Sequence, residues 1–487
     1  MPDVEANETA ETLDSISFGQ IAHSVYALFY NKRFGLILIL VAGLLSLFGV
    51  IFPQMPSGVR DNPEAYASWL DNLRGTYGGW TNIMVNVGLF SMFSSTVFLV
   101  AMVLLAASIL ACTTHRLPLL WRNCFEPRTV VKPSFFTRAR YTAGFETSAS
   151  AAEVGDALRK VAKKRSLRLI SNEDETSFYL DRFRFAPFGT VAAHIAIVII
   201  MVGFLVSSMT GFREENFALT VDIPREVGHG THLVAKANSF QDDYYPDGTP
   251  KDYVTDLSIL ADGNEVARQD VRVNSPLKYN GIMFHQANFG VSAVISVSEG
   301  GEELFNNGVG LVYLTPDKSR SYGVVKVPDR DYEIYLIAPA SGRQTPEIAP
   351  GQVQIEVYPV GEKNLVGKDS LDPGQNAEIA GLTIGFEKEA QFTGLLIKKD
   401  PGTGFIWIGS LLLVIGMCAT MFLRHRRIWV RYATVEGKQT VQLASMDKPD
   451  VSFEARFAQF KDEVSNALVG SEETAEAPTG SELAEKK

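Results

Sequence analysis

His194 lies inside an uncharged run, Thr190-Val191-Ala192-Ala193-His194-Ile195-Ala196-Ile197-Val198. An imidazole in apolar surroundings is a hydrogen-bonding group, a proton carrier or a metal ligand, and a neutral imidazole is a common protein ligand of haem iron. Its neighbours Gly189, Ala192, Ala193 and Ala196 are small. Such a face admits another helix, or a flat ring, at close range. The competing reading is a hydrogen bond from His194 to a neighbouring helix and no cofactor. Ionisable residues within apolar segments are functional candidates by default, but one histidine does not identify a cofactor.

Other chemistry is sparse. His23, His115 and His425 sit beside apolar runs and read as interfacial charge. His229 and His232 are three residues apart in a stretch that reads as a turn entering a strand. No third ligand lies near them, so a metal site is not expected there. His285 stands alone. Gln241-Asp242-Asp243 reads as a solvated loop. No phosphate loop, nucleophile elbow or paired-acid motif is present, and no catalytic residue is assigned. The three cysteines, Cys112, Cys124 and Cys418, form no CxxC or CxxCH motif. The chain thus has neither a thioredoxin-like motif nor a c-type haem attachment site of its own.

The elements that would position His194 are apolar helices. Four runs, 34–52, 93–112, 188–209 and 405–423, contain no Asp, Glu, Lys or Arg. Each has about the 20 residues needed to cross a hydrocarbon core, where only a helix pairs its own backbone. The acidic, polar start of the chain is unlike a signal peptide, so the first run is expected to be a retained helix. Lys32 and Arg33 precede the first run. Only Arg60 and Arg74 lie between the first two, the segment 113–187 is rich in Lys and Arg, and Arg424-His425-Arg426-Arg427 follows the fourth. By the bias of basic residues toward the cytoplasm, segments 1–33, 113–187 and 424–487 are expected to be cytoplasmic. Segments 53–92 and 210–404 are then extracytoplasmic, in a multi-pass protein of the plasma or inner membrane.

The segment 210–404 alternates apolar and polar residues in short runs broken by turn signals. Residues 253–261 and 265–274 around Asp262-Gly263-Asn264 predict a hairpin. Residues 291–298, before Glu299-Gly300-Gly301-Glu302, predict a strand, as do 352–359 and 382–387. The expected fold is therefore four transmembrane helices with a large β-rich domain, sandwich or barrel-like, between the third and fourth. With no cysteine in it, that domain must be held by burial rather than disulfides. In 113–187 a helix over 151–165 and strands over 167–170 and 177–180 predict a small α/β insert. The tail 424–487 is expected to be cytoplasmic, with a disordered end after about Gly470. A hydrophobic fraction of 46% and a net charge of −10 fit no nucleic-acid binder.

Two stretches carry a family resemblance. One runs Ser239-Phe240-Gln241-Asp242-Asp243-Tyr244-Tyr245-Pro246-Asp247-Gly248-Thr249-Pro250-Lys251-Asp252-Tyr253. The other is Val273-Asn274-Ser275-Pro276-Leu277-Lys278-Tyr279-Asn280-Gly281-Ile282-Met283-Phe284-His285-Gln286 and continues to Phe289-Gly290. Both resemble ResB, also called CcsB, of the System II cytochrome c maturation machinery. Cys112-Thr113-Thr114-His115-Arg116 resembles the Cys-x-x-x-Arg ending of that family's second span. The resemblance covers most of residues 30–430. Where family members often carry Ser-Trp-Trp-Phe, this chain has Ser95-Thr96-Val97-Phe98, so it reads as a divergent member and nothing tied to those tryptophans is carried over.

The resemblance implies a cytochrome c assembly factor rather than an enzyme. With a ResC/CcsA-type partner it would transfer haem across the membrane and present it to the CxxCH motif of apocytochrome c. The implied partners are that membrane protein, apocytochrome c and the lipid bilayer, and any haem-ligation activity would belong to the complex. The implied cofactor is haem b, bound transiently. Its iron would take His194 as one axial ligand and a residue of the partner as the other. The alternative is a membrane-tethered β-domain that binds or senses without haem.

Overall fold

The structure, a computed structural model, describes residues 18–56, 59, 63–246, 250–340, 346–362 and 364–475. Contacts group the chain into two compact units. One takes the described residues within 1–39, 102–201 and 405–487, and the other those within 40–101 and 202–404.

Helix α1 (Phe18–Tyr30) leads into α2 (Lys32–Ile51). Residues 53–92, expected as a loop, instead contain α3 (Pro63–Tyr77) and α4 (Thr81–Val87). What orders this segment is burial of Phe90, which meets Trp69 edge-on at 5.6 Å and Phe52 at 6.3 Å. The Gln54 side chain donates to the Leu89 carbonyl at 3.0 Å and accepts from the Met92 amide at 2.9 Å. Helix α5 (Thr96–Phe125) begins later and runs farther than the expected 93–112. Its start is set by Ser95, whose hydroxyl accepts from the Phe98 amide at 3.2 Å as an N-cap. Arg60 and the acidic N-terminal residues lie outside the described residues.

After α5 come α6 (Phe135–Arg138), β1 (Tyr141–Glu146), α7 (Ala151–Lys164), β2 (Arg168–Ser171) and β3 (Ser177–Arg182). The helix and two strands expected in 151–180 are all present. A capping box starts α7: the Glu153 amide donates to Ser150 Oγ at 3.4 Å, and the Ser150 amide donates to Glu153 Oε2 at 2.7 Å. Helix α8 (Phe188–Thr210) follows.

The chain then turns to strands. They are β4 (Phe212–Thr220), β5 (Arg225–Glu226), β6 (Leu233–Tyr244), β7 (Pro250–Ala261), β8 (Asn264–Val271) and β9 (Leu277–Tyr279). Next come β10 (Ile282–Glu299), β11 (Glu302–Gly310), β12 (Tyr313–Leu314), β13 (Arg320–Lys326) and β14 (Tyr332–Pro339). The last are β15 (Val353–Pro359), β16 (Gly367–Leu371), β17 (Gln375–Ile379) and β18 (Leu382–Lys399). The axis of this region is the antiparallel pair β10 and β18, each 18 residues long. Strands β11, β17, β4 and β9 extend it. A sheet of β12–β16 covers one stretch of the ribbon and a sheet of β5–β8 the other. One core holds Ile295, Val297, Ile334, Leu336, Ile355 and Ile384. The other holds Phe217, Leu257, Ile259, Phe284, Leu395 and Ile397. The result is two sandwiches on one shared ribbon, each burying alternate side chains of its strands.

Where the cores meet along β10 the buried groups become polar. The Thr255 and Thr393 hydroxyls donate to Gln286 Oε1 at 2.7 and 3.0 Å, and Gln286 Nε2 donates to the Asn288 carbonyl at 3.1 Å. This bonding falls at a bulge between Gln286 and Asn288. The expected hairpin turn at Asp262-Gly263 has φ of 50° and 77°. The Asn280-Gly281 turn joining β9 to β10 has φ of 46° and 76°. Two successive left-handed residues match the twist of a two-residue hairpin, which explains the Asn280-Gly281 pair within the second family stretch. Gly248 lies outside the described residues.

Helix α9 (Thr403–Phe422) is, with α2, α5 and α8, one of four helices among the described residues long and apolar enough to cross a membrane. The segment beyond it corrects the expected tail. Strands β19 (Arg426–Val435) and β20 (Lys438–Ser445) and helix α10 (Val451–Ala475) complete the α/β unit. The sheet order is β1-β20-β19-β3-β2, all antiparallel in the pairs formed. Strand β1 pairs with β20 and β3 with β19, so only the β19–β20 hairpin joins β1 to β3 in one sheet. Phe453, Phe457, Phe460 and Val464 of α10 recur at helical spacing and bury against Val154, Leu158, Phe178 and Val430. The end after Gly470, expected to be disordered, has its first residues in α10 and the rest outside the described residues.

Candidate functional site

His194 is the seventh residue of α8, roughly 9 Å along the helix from Phe188 at 1.5 Å per residue. Its two sides meet different helices. The small-residue face packs against α9. A Cβ on Gly416 would lie 2.7 Å from the Gly189 carbonyl oxygen and 2.8 Å from the Ala193 nitrogen, and one on Gly409 would lie 2.9 Å from the Ala196 carbonyl oxygen. Of the two occupants that such a face admits, a helix or a flat ring, the helix is the one found along Gly189, Ala193 and Ala196.

The imidazole reaches α5. His194 Nδ1 lies 2.9 Å from Thr113 Oγ1, and Thr113 is buried. The Thr113 hydroxyl already donates to the Ile109 carbonyl at 2.7 Å. A hydroxyl has one hydrogen, so Thr113 meets the imidazole as an acceptor and Nδ1 carries the proton. In the neutral ring Nε2 is then left with its lone pair, the form in which histidine binds a metal. Nε2 has no hydrogen-bond partner among the described residues. A ligating histidine with its other nitrogen held by an oxygen acceptor is the usual arrangement around bound metals. Such a nitrogen would be able to serve as a protein ligand of a haem iron. Among the described residues no group of three or more His, Cys, Asp or Glu could hold a bare metal ion. The sequence contains Thr113 in the Cys112–Arg116 stretch, but no spacing rule links it to a residue 81 positions away.

The other histidines separate from this site. His115 stacks on Tyr30 at 3.9 Å. His229 stacks on Phe212 at 4.3 Å with Nε2 3.6 Å from Glu214, and both His229 and His232 have positive φ, as a turn requires. His285 lies in β10 and His23 in α1.

His425, read as interfacial charge, is instead nearly buried and 3.0 Å from Asp181. Asp181 is 2% exposed and also accepts two bonds from Arg168, at 2.8 and 2.7 Å, and one from Tyr179 at 3.2 Å. Burial pushes the Asp181 carboxyl up, but the hydrogen bonds from His425 and Arg168 outweigh it and hold the group below the usual carboxylate range. A depressed native pKa stabilises the fold above the unfolded pKa and is lost as pH falls through the native value. Asp181→Ala is expected to destabilise the α/β unit by about 3 kcal/mol or more, because it strands a partly buried arginine. Proteolytic unfolding curves of wild type and variant check this. The gap between them should narrow as the pH drops below the carboxylate range.

The four apolar helices, the double sandwich and the Val273–Gly281 hairpin can be compared with known proteins. The sequence profile of the ResB-like family matches residues 32–458. The chain belongs to the ResB-like family. It is 26% identical to a cytochrome c biogenesis protein CcsB from Nostoc sp. (strain PCC 7120), over 87% of this chain and 89% of that one. It is 25% identical to a protein of the same name from Trichormus variabilis, over 90% and 91%. The chloroplastic cytochrome c biogenesis protein CCS1 of Arabidopsis thaliana is 29% identical over 70% of this chain and 62% of its own. The match spans all four apolar helices of this ResB-like chain and every strand from β1 to β20, so the family's plan is carried by the whole chain and not by one domain.

Proposed function

We propose that this ResB-like protein is a cytochrome c assembly factor that carries haem within its membrane segment for attachment to apocytochrome c. The observation that supports it most directly is the imidazole of His194, with Nδ1 tied to Thr113 and Nε2 free to meet an iron. The names of its relatives point to cytochrome c biogenesis. Haem is the cargo, and a ResC/CcsA-type membrane partner supplies the second axial ligand. A haem shared in this way favours subunit association, since each chain fills one side of the iron. The apolar surroundings of α8 keep water from the porphyrin faces.

The basic residues around 113–187 and 424–427 face the cytoplasm in this reading, with both termini. The two β-sandwiches then face the opposite side. Their exposed edges, β12 and β16 in one sheet and β5 and β8 in another, are sites for an extended segment of apocytochrome or of the partner to add as a strand.

Haem absorbance of the complex purified in detergent, with its partner, tests the reading. Haem in the wild-type complex whose axial spectrum changes with His194 supports it. A wild-type complex without haem leaves the alternative, a membrane-tethered β-domain that binds or senses other ligands.

A further inference from the structure

A cavity of about 700 Å³ lies between the α1–α2 junction and the stretch of α5 around Cys112–Arg116, which contains the His194 partner Thr113. Lys32, Arg33 and Arg116 line it, together with Cys112 and the stacked pair Tyr30 and His115. No Asp or Glu lines it. None of the three cations has an ion-pair partner among the described residues. Arg165 and Lys164 share Glu463, Arg168 holds Asp181, and Arg424 and Arg426 share Asp450. Three like charges around one cavity, two at the start of α2 and one just beyond the apolar stretch of α5, repel one another and are relieved by an anion.

The cavity is tied to the imidazole through α5. Cys112 and Arg116 flank Thr113, and Arg116 is three residues beyond it, on the same face and about 4.5 Å farther along the axis. Haem is an amphiphile of matching shape. Its ring is apolar, and its two propionates leave from one edge. With the iron toward His194 and the ring among the helices, that edge must find positive charge near a helix end.

We propose that this cavity binds the propionate edge of haem, with Arg116 as the main carboxylate partner and Lys32 and Arg33 as the remaining counter-charge. The inference rests on His194 as a haem ligand, and goes beyond it by fixing which edge of the ring faces the Arg116 end of the helices. An arginine fork accepts a carboxylate through two parallel bonds, which orients the ring as well as retaining it.

The test compares protohaem with its dimethyl ester, whose propionates carry no charge, in the detergent-purified complex with its partner. Wild type is expected to retain protohaem about tenfold or more better than the ester, the size of one charge-assisted hydrogen bond. The triple variant Lys32→Gln, Arg33→Gln, Arg116→Gln should lose that preference while the remaining haem keeps its axial spectrum. Equal retention of acid and ester by wild type, which needs no variant, overturns the proposal. So does a preference that survives in the triple variant. Neither result touches the ligand reading, which fails separately if His194→Ala retains haem with an unchanged spectrum.

Discussion

Replacing His194 with alanine is expected to empty the complex of haem and to stop cytochrome c maturation. The loss should exceed the roughly 10- to 100-fold that removal of an outer-shell partner costs a metal site, since here the ligand itself is gone. Absorbance of the purified complex and haem staining of cytochromes in membranes measure the two effects. The helix itself should tolerate the change, because alanine is a good helix former and the seam with α9 is made by Gly189, Ala193 and Ala196, not by the imidazole. Protein abundance and partner retention should therefore stay near wild type. His194→Gly with added imidazole should recover part of the haem, because the free ligand can occupy the vacated space. Unchanged haem and maturation in the alanine variant would remove His194 from any ligand role.

The apolar helices were legible in the sequence because a membrane span depends on composition over one continuous window. The β elements were legible in pieces. Asp262-Gly263 announces its turn locally, and strands such as Val353–Pro359 show their alternation. The pairing of β10 with β18 joins residues about a hundred positions apart, and nothing in either strand names the other. The same limit hid the second half of the α/β unit, the part that follows α9. Ile428, Val430, Val441 and Leu443 alternate as strand residues do, but the first two stand among arginines after an apolar helix and the whole stretch reads as a tail. Only burial against Phe178 and Leu180 reveals why they are apolar. His425 illustrates the converse, since its partner Asp181 is supplied by a strand on the far side of two helices and the entire β region in sequence.

At the candidate site the sequence offered one imidazole and two open readings, and its geometry now gives the hydrogen-bonding half a concrete partner. The bond to Thr113 that the plain reading required is present, and that same bond leaves the lone pair of the neutral ring on Nε2. The two readings therefore differ only in what meets Nε2, and changing the acceptor rather than the histidine separates them.

Thr113→Val keeps the shape of the side chain and removes the oxygen. If the bond to Nδ1 only joins two helices, the variant should lose about 1 kcal/mol of stability, the net worth of a hydrogen bond, and nothing else. If Thr113 fixes the tautomer, haem affinity should fall about 10- to 100-fold while the fold remains intact. Valine leaves Nδ1 without an acceptor, so the neutral ring can move its proton to Nε2, where it blocks iron. Thr113→Ser restores the oxygen and should restore most of the haem. Nitrogen-15 chemical shifts of the labelled imidazole in haem-free protein read the tautomer directly. Wild type and the serine variant should carry the proton on Nδ1, and the valine variant should shift toward Nε2. A valine variant with wild-type haem content and an unaltered tautomer would reduce the contact to helix packing alone.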